Sequence, residues 1–293
     1  MGNLTKQQFE WYLLKSLRKY LGDRKVILKT IDKINVEQQN VILIKDDVKN
    51  IYGIFYMNQW YEKYQQGDCL EDIVARIIVQ ARKSCLNFSV NLLETQSFQK
   101  IRNRIFFRIV EYKRNEKALK NVAFERKNDL AMVYYLLLDM DFHDQMKISC
   151  VKQTMLKRWG ISEESFQKVA MRNTIRLFPP KIREISKVFS VSLPGFYLAT
   201  NVYRMHGAGV IFYPNLLKKF CEEKGVCGMF LLPSSIHEMV FVLDNRGVKI
   251  TPQKLFYMVS KINKNRECTR KEDVLTTNVY YYNLKEDRLK ALF

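Results

Sequence analysis

DLAMVYYLLLD, residues 129–139, is the stretch of this sequence that decides the fold. Its apolar side chains continue without the alternation that a half-exposed strand would show, so both faces of a strand built from it would be buried. Asp129 and Asp139 border the stretch, and the nine residues between them are all apolar, which fits a long, fully buried strand. The sequence therefore predicts a central strand in a sheet that is covered on both faces.

Helices and strands alternate irregularly on either side of this central strand. Helical spacing covers residues 4–21, 58–66, 70–86, 150–176, about 181–190, part of 208–224 and 252–264, and strand patterns cover 26–34, 41–44, 51–57, 100–112, 196–201, 228–232, 239–243 and 278–283. Because regular βαβ alternation is missing, the pattern predicts an α+β fold, with two closely packed parts that are each a mostly antiparallel sheet with flanking helices. A stretch with Pro, Gly and Ser near 190–195 predicts a boundary between residues 1–190 and 191–293.

The chain is strongly basic. It has 49 Lys and Arg against 30 Asp and Glu, a net charge of +19, and the excess is spread along the whole length. Such a charge attracts nucleic acids and other polyanions, although a lysine-rich composition alone would also produce it. The six cysteines form no CxxC pair, residues 1–20 read as a charged amphipathic helix, and no apolar run approaches the ~18 residues that span a bilayer. We expect a cytoplasmic protein with reduced thiols and no membrane partner.

Six phrases of the sequence carry a family resemblance. They are YMNQWYEKYQQG (56–67), KNDLAMVYYLLLD (127–139), AMRNTIRLFPP (170–180), GAGVIFYPNLLKKF (207–220), LPSSIHEMVFV (232–242) and NVYYYN (278–283). In this order they resemble the bacterial domain-of-unknown-function family numbered 5688, and more distantly the uncharacterised family 1444. The likeness extends over nearly the whole chain, and neither family implies an activity.

The strongest local candidate for chemistry is SSIHE, residues 234–238, between two predicted strands. Ser234 or Ser235, His237 and Glu238 have the residue types of a nucleophile, a general base and an orienting acid. Neighbours within one turn rarely face one another productively, however, and no GxSxG context surrounds either serine. The alternatives are a tight turn in which the hydroxyls satisfy backbone donors, and a ligand-binding turn.

No pattern in the sequence predicts a metal or cofactor. Residue 241 is Phe where a zincin motif beginning at His237 would need His. The other histidines, His143 and His206, are distant along the chain. Gly207-Ala208-Gly209 lacks the remaining features of a dinucleotide-binding loop, so we interpret it as close packing near a turn.

The run 100–112, KIRNRIFFRIVEY, is the best candidate for binding a polyanion. Read as a strand, it places Arg102, Arg104 and Arg108 on one face, with Lys100 before them and Phe106 among them. Basic side chains interleaved with an aromatic ring suit a phosphate backbone and a stacked base. The alternative is a solvated face whose arginines pair with acids on a neighbouring strand, such as Glu111 or Asp129.

Two further segments have functional alternatives. Asn58, Trp60 and Tyr61 follow a predicted strand and could line a ligand pocket, or could simply be a helix cap and core rings. Residues 151–176 have the lengths of a DNA-reading helix-turn-helix, but Glu163 and Glu164 would begin the recognition helix and repel phosphates. We therefore interpret 151–176 as a packed helical hairpin.

Taken together, the residues favour a non-enzymatic protein that binds another macromolecule, either a nucleic acid or other polyanion, or a protein. The rival hypothesis is a hydrolase or transferase that uses His237 as general base with Ser234 or Ser235 and Glu238. The sequence does not indicate a substrate or an oligomeric state.

Overall fold

The computed structural model describes residues 4–22, 24–46, 51–86, 94–140, 146–189, 192–244, 251–265 and 269–293. Contacts divide the chain into two compact units, Met1–Asn91 and Leu92–Phe293. Both units combine antiparallel sheets with helices, so the fold is α+β, as the sequence predicts.

The first unit is a three-stranded antiparallel sheet with helices. Its elements are α1 (Lys6–Leu21), β1 (Val26–Lys33), β2 (Val36–Asp46), β3 (Ile51–Tyr56), α2 (Met57–Gln65) and α3 (Leu70–Leu86), and the strand order is β1-β2-β3. Thr5 begins α1 with a capping box to Gln8. Phe9, Leu13 and Leu17, four residues apart, bury one stripe of α1 completely. Each such side chain contributes roughly 1.5–3 kcal/mol to folding.

The second unit contains two sheets. Its elements are α4 (Phe98–Ile101), β4 (Ile105–Glu111), α5 (Tyr112–Leu119), β5 (Phe124–Lys127), β6 (Leu130–Met140), β7 (Met146–Cys150), α6 (Gln153–Trp159), α7 (Glu163–Leu177), β8 (Pro180–Glu184), β9 (Phe196–Asn201), α8 (Leu216–Lys224), β10 (Gly228–Ser235), β11 (Glu238–Leu243), α9 (Pro252–Lys264), β12 (Tyr280–Asn283) and β13 (Arg288–Ala291). None of the helices in the described ranges is both long and apolar enough to cross a membrane.

The central-strand prediction is confirmed by β6. It pairs with β4 along one side and with β5 and β7 along the other. From Leu130 to Leu137 its side chains are buried whichever face they occupy. The helical hairpin is also present, because Ser162 caps α7 by accepting a hydrogen bond from the Ser165 backbone N–H.

The larger sheet has the strand order β13-β12-β10-β11-β9-β8 and carries helices on opposite faces. Phe220 of α8 packs on Phe241, with ring centroids 5.5 Å apart. Leu255 of α9 belongs to a separate buried cluster with Val242, the next residue of β11. Since successive strand residues point to opposite faces, α8 and α9 cover opposite sides of the sheet.

The predicted helix at about 181–190 is wrong. Residues 180–184 form β8, and a 3₁₀ turn follows at Ile185–Lys187. The Pro179-Pro180 pair explains the difference, because a residue before proline is held in extended conformation and the chain enters this segment as a strand. The sequence also misses α5, β5, β7 and β13, which are all short.

The contacts divide the chain near residue 91, whereas the sequence predicts a boundary near 190. Strands β8 and β9, on either side of residues 190–195, pair with each other from Pro180–Asn201 to Glu184–Tyr197. The Pro, Gly and Ser residues there connect two strands of one sheet. Such residues are typical of tight connections as much as of linkers between domains.

Candidate functional site

The SSIHE segment comprises the end of β10, the two-residue turn Ile236-His237 and the start of β11. The Ser235 hydroxyl oxygen accepts a hydrogen bond from the His237 backbone N–H at 3.0 Å. The Ser234 hydroxyl donates to Glu238 Oε1 at 3.3 Å. The two hydroxyls thus bond within the turn itself, which is the arrangement expected of a structural turn.

The His237 ring is held by two other segments. Its Nδ1 accepts a hydrogen bond from the His206 backbone N–H at 3.1 Å, and its Nε2 lies 3.3 Å from Asp273 Oδ1. This pattern assigns the ring proton to Nε2, where it can be donated to Asp273. Because both ring nitrogens are engaged and Ser234 bonds directly to Glu238, the predicted serine–histidine–glutamate arrangement is not formed.

His206 lies in a tight loop after β9. Its backbone is left-handed, with φ of 50°. The Asn201 side chain organises the loop, accepting from the Tyr203 and Met205 N–H groups and donating to the Met205 carbonyl. The His206 and His237 rings lie 5.2 Å apart between centroids.

Burial lowers the pKa of His206 to about 2, and the nearby charge of Arg108 acts in the same direction. The imidazole is therefore neutral at any physiological pH.

Gly207 allows the loop and the turn to meet. The His237 carbonyl accepts hydrogen bonds from the Gly207 N–H at 3.0 Å and from the Thr200 hydroxyl at 2.7 Å. A Cβ at Gly207 would overlap Thr200 Oγ1 and would lie only 2.6 Å from Asn201 N and 2.7 Å from the His237 oxygen. Only glycine fits, which confirms that the Gly207-Ala208-Gly209 segment provides close packing near a turn. We call the cluster of His206, Gly207, His237 and Asp273 the histidine junction.

Arg108 lies on β4 at the edge of the histidine junction. Its guanidinium stacks 5.5 Å from the ring centroids of both Phe106 and Tyr135, and Nη2 is 3.9 Å from the Met146 sulfur. Burial lowers its pKa to about 10, so the side chain stays charged at neutral pH. Beside it is a cavity of about 10 Å³ that His206 also lines, enough for roughly one water molecule.

The predicted strand face of basic residues is not present, because β4 begins only at Ile105. Lys100 lies on α4, and Arg102 and Arg104 lie on the 3₁₀ turn Arg102–Arg104, all three exposed, while Arg108 is half-buried further along. Helix α7 imposes this geometry.

The turn's carbonyls are engaged by α7. The Asn173 side chain donates to the carbonyls of Arg102 at 2.6 Å and Ile105 at 2.9 Å, and the Arg176 guanidinium donates to that of Asn103 at 2.7 Å. These bonds occupy carbonyls that a strand ladder would need.

The same contacts assemble a basic surface that the strand interpretation does not predict. Arg172 and Arg176, four residues apart on the exposed side of α7, lie next to the 3₁₀ turn. We call Lys100, Arg102, Arg104, Arg172 and Arg176 the arginine patch. Within the described ranges none of the five forms an ion pair with a carboxylate. The basic residues Lys168, Arg172 and Arg176 are spaced four apart in the sequence, and this helical spacing could have predicted that Arg172 and Arg176 lie on one face of α7.

The alternative interpretation of these arginines was that they pair with acidic residues on a neighbouring strand, and the structure does not show such pairs among the described residues. Asp129 accepts hydrogen bonds from the hydroxyls of Tyr280 at 2.7 Å and Thr276 at 3.0 Å. The Arg104 guanidinium instead donates to the Leu138 carbonyl at 3.3 Å. Backbone carbonyls therefore orient two of the arginines and leave their charges uncompensated.

The proposed ligand pocket around Asn58 consists of core residues in the first unit. Tyr56 is the N-cap of α2, and Asn58 is inside the first turn, where its Oδ1 is buried with no hydrogen-bond partner among the described residues. Trp60 belongs to the buried cluster of this unit. The Tyr61 hydroxyl donates to the Leu4 carbonyl at 3.0 Å, and its ring packs against Phe9.

Histidines and cysteines do not converge on a metal site in the part of the chain that the structure describes. No group of three or more His, Cys, Asp or Glu residues there could hold an ion. His143 lies outside the described residues. Cys69, Cys150, Cys221 and Cys227 are all free thiols.

The chain belongs to the family of unknown function DUF5688, whose family model matches residues 6–284. This confirms the resemblance seen in the six sequence phrases; the likeness to family 1444 stays a prediction. No curated protein and no solved structure matches the chain.

Proposed function

We propose that this protein is a non-enzymatic binding protein whose partner is a nucleic acid, held through the arginine patch. The observation that supports this most is the patch itself: four arginines and one lysine are exposed on three adjoining elements, α4, the 3₁₀ turn and α7. Among the described residues, none of the five forms an ion pair with a carboxylate. Arginine presents a planar fork of donors that matches phosphate oxygens, and its weak hydration favours such contacts over those of lysine.

The distribution of charge supports the same partner. Residues 92–293, which contain the patch, hold 35 basic and 20 acidic side chains, whereas residues 1–91 hold 14 and 10. Both units are therefore basic, and the unit that presents the patch carries the larger excess, 15 positive charges against 4. A positive field of this kind speeds the encounter with a polyanion, and the patch would then provide the close contacts.

The hydrolase or transferase hypothesis has weaker support. A general base needs a ring nitrogen that can reach the proton it removes, and the nitrogens of His237 face the His206 N–H and Asp273. We also propose a cytoplasmic location, which suits the free thiols of the described cysteines and a nucleic-acid partner.

Fluorescence anisotropy with labelled single-stranded RNA and duplex DNA tests the proposal. We expect binding near physiological salt. The variant Arg102→Gln/Arg104→Gln/Arg172→Gln/Arg176→Gln should bind about a thousandfold more weakly, because each arginine–phosphate hydrogen bond that it removes contributes about 1 kcal/mol.

The matched control removes four exposed lysines of the same unit, through Lys218→Gln, Lys219→Gln, Lys254→Gln and Lys264→Gln. It changes net charge equally and should weaken binding much less. A second variant, Arg102→Gln/Arg172→Gln, changes two side chains that make no hydrogen bond of their own in the described structure, so its fold is least disturbed. Equal losses of affinity in the patch and control variants would contradict the proposal.

A further inference from the structure

The second unit has an open sheet edge at β8. Strand β8 pairs only with β9 among the described strands. The Val202 N–H donates to the Pro179 carbonyl, so Pro179 and Val202 form a hydrogen-bonded pair. In antiparallel strands, hydrogen-bonded pairs alternate with pairs whose backbone N–H and C=O groups point away from the partner strand. The backbone groups of Ile182 and Glu184 therefore point away from β9, free to pair with another extended chain.

A groove runs beside this edge, between β8 and α8. Its volume is about 720 Å³. Its apolar lining comes from Pro180, Ile182, Tyr197, Leu216 and Phe220. Helix α8 covers β9 and β11, through Phe220 against Tyr197 and Phe241, and the groove lies over β8.

The two faces of β8 differ in chemistry. Ile182 faces the groove side together with its cross-strand partner Ala199, whereas Lys181 and Arg183 are on the other face. At the groove, the cations of Lys187 and Lys224 balance the carboxylates of Glu184 and Glu223, so the excess positive charge of β8 comes from Lys181 and Arg183 on the other face. The Lys224 ammonium stacks on the Tyr197 ring at 4.9 Å.

We propose that β8 is a docking edge for an extended acidic peptide segment of a protein partner, which adds a strand to the sheet. Every second side chain of the peptide enters the groove and is apolar. The side chains between them face Lys181 and Arg183 and are acidic, since opposite charges on paired strands stabilise each other. A second copy of this chain is the wrong occupant, because pairing β8 with itself would set these cations against one another.

Binding of a synthetic peptide that alternates Asp and Val to the full chain tests this site. We expect the peptide to bind near physiological salt and its counterpart that alternates Lys and Val to bind about tenfold more weakly. The variant Lys181→Glu/Arg183→Glu should reverse this preference. Because both substituted side chains are on the partly exposed edge, the fold should be retained. An unchanged preference in the variant would overturn the proposal.

N-methylation of the peptide backbone distinguishes strand addition from simple charge attraction, without altering the protein. Methylating the alternate nitrogens that face β8 should weaken binding at least about tenfold, and methylating the other set should leave it unchanged. Equal effects of the two sets would overturn the proposal. The proposal would also be overturned if the wild-type chain sedimented as a dimer and Ile182→Pro abolished that dimer. The arginine-patch variant should bind the peptide normally.

Discussion

The arginine patch and the histidine junction contain similar basic groups in opposite settings. In the patch, the cations are exposed, and backbone carbonyls of the 3₁₀ turn and of Leu138 orient two of them. At the junction, the imidazole of His206 is half-buried and neutral, and Arg108 stacks beside the rings of Phe106 and Tyr135. Burial and partners therefore decide which basic residues are available to a polyanion. We interpret the junction as structural and the patch as functional.

Gly207→Ala should have the largest effect on the junction. The new Cβ would lie 2.6 Å from Asn201 N and 2.7 Å from the His237 carbonyl oxygen, and both are backbone atoms. We expect the free energy of unfolding to fall by more than about 4 kcal/mol, measured by urea denaturation.

Gly225→Ala is the matched control for Gly207→Ala. Gly225 has a left-handed backbone, with φ of 64°, which other residues rarely adopt. Within the described part of the chain, no atom lies within 4 Å of the position that a Cβ would take there. The substitution should cost only about 1 kcal/mol, from the left-handed backbone alone. Similar losses of stability at the two glycines would show that the junction is not closely packed.

The pH dependence of stability should reveal the neutral His206. Its folded pKa of about 2 lies below the ordinary value, so below about pH 6.5 the unfolded chain takes up a proton that the folded chain does not. The free energy of unfolding should therefore fall with decreasing pH, by up to about 1.4 kcal/mol per pH unit.

His206→Gln should remove this component. Urea titrations between about pH 6.5 and 4.5 measure the slope in both proteins, and the difference isolates His206 from the titrating carboxylates. Parallel slopes would mean that the ring is solvated and the junction open.

Arg108 and Arg104 provide the sharpest contrast between the two regions. Arg108→Met should leave nucleic-acid affinity within about twofold and stability within about 1 kcal/mol, since methionine can pack beside the Phe106 and Tyr135 rings without a desolvated charge. Arg104→Gln should weaken binding about fivefold, the equivalent of about 1 kcal/mol. Anisotropy on both variants checks this, and a larger effect of Arg108→Met on affinity would reverse the assignment of the two regions.

Ser234→Ala and Ser235→Ala should have the smallest effects. Each removes one hydrogen bond of a part-buried turn, worth about 1 kcal/mol. Nucleic-acid binding should not change in either variant. If one of them abolished a hydrolytic activity of the protein while the fold persisted, the serine–histidine hypothesis would be restored.

The sequence predicts the fold well where the pattern is local. Helix α9 (Pro252–Lys264) and strand β9 (Phe196–Asn201) have the predicted bounds, because a capped amphipathic helix and a short apolar strand follow from neighbouring residues. The predicted turn at 234–238 is likewise present, with its hydroxyls bonded locally.

The parts that the sequence does not predict depend on distant contacts. Alternation in KIRNRIFFRIVEY favours a strand throughout, but Asn173 and Arg176 capture the carbonyls at its start from about seventy residues away. His237 meets His206 and Asp273 only through the fold, since no local spacing relates them. The sequence thus predicted three residues of the patch, Lys100, Arg102 and Arg104, but placed them on one face of a strand.

The salt dependence of RNA binding tests the central claim most directly. The logarithm of the association constant should fall linearly with the logarithm of salt concentration, with a slope of about −0.7 for each phosphate contact to a single strand. Substituting the four arginines of the patch by Gln should make the slope shallower by about 3, and substituting Lys218, Lys219, Lys254 and Lys264 should change it little. The same slope in the wild type and the patch variant would contradict the account.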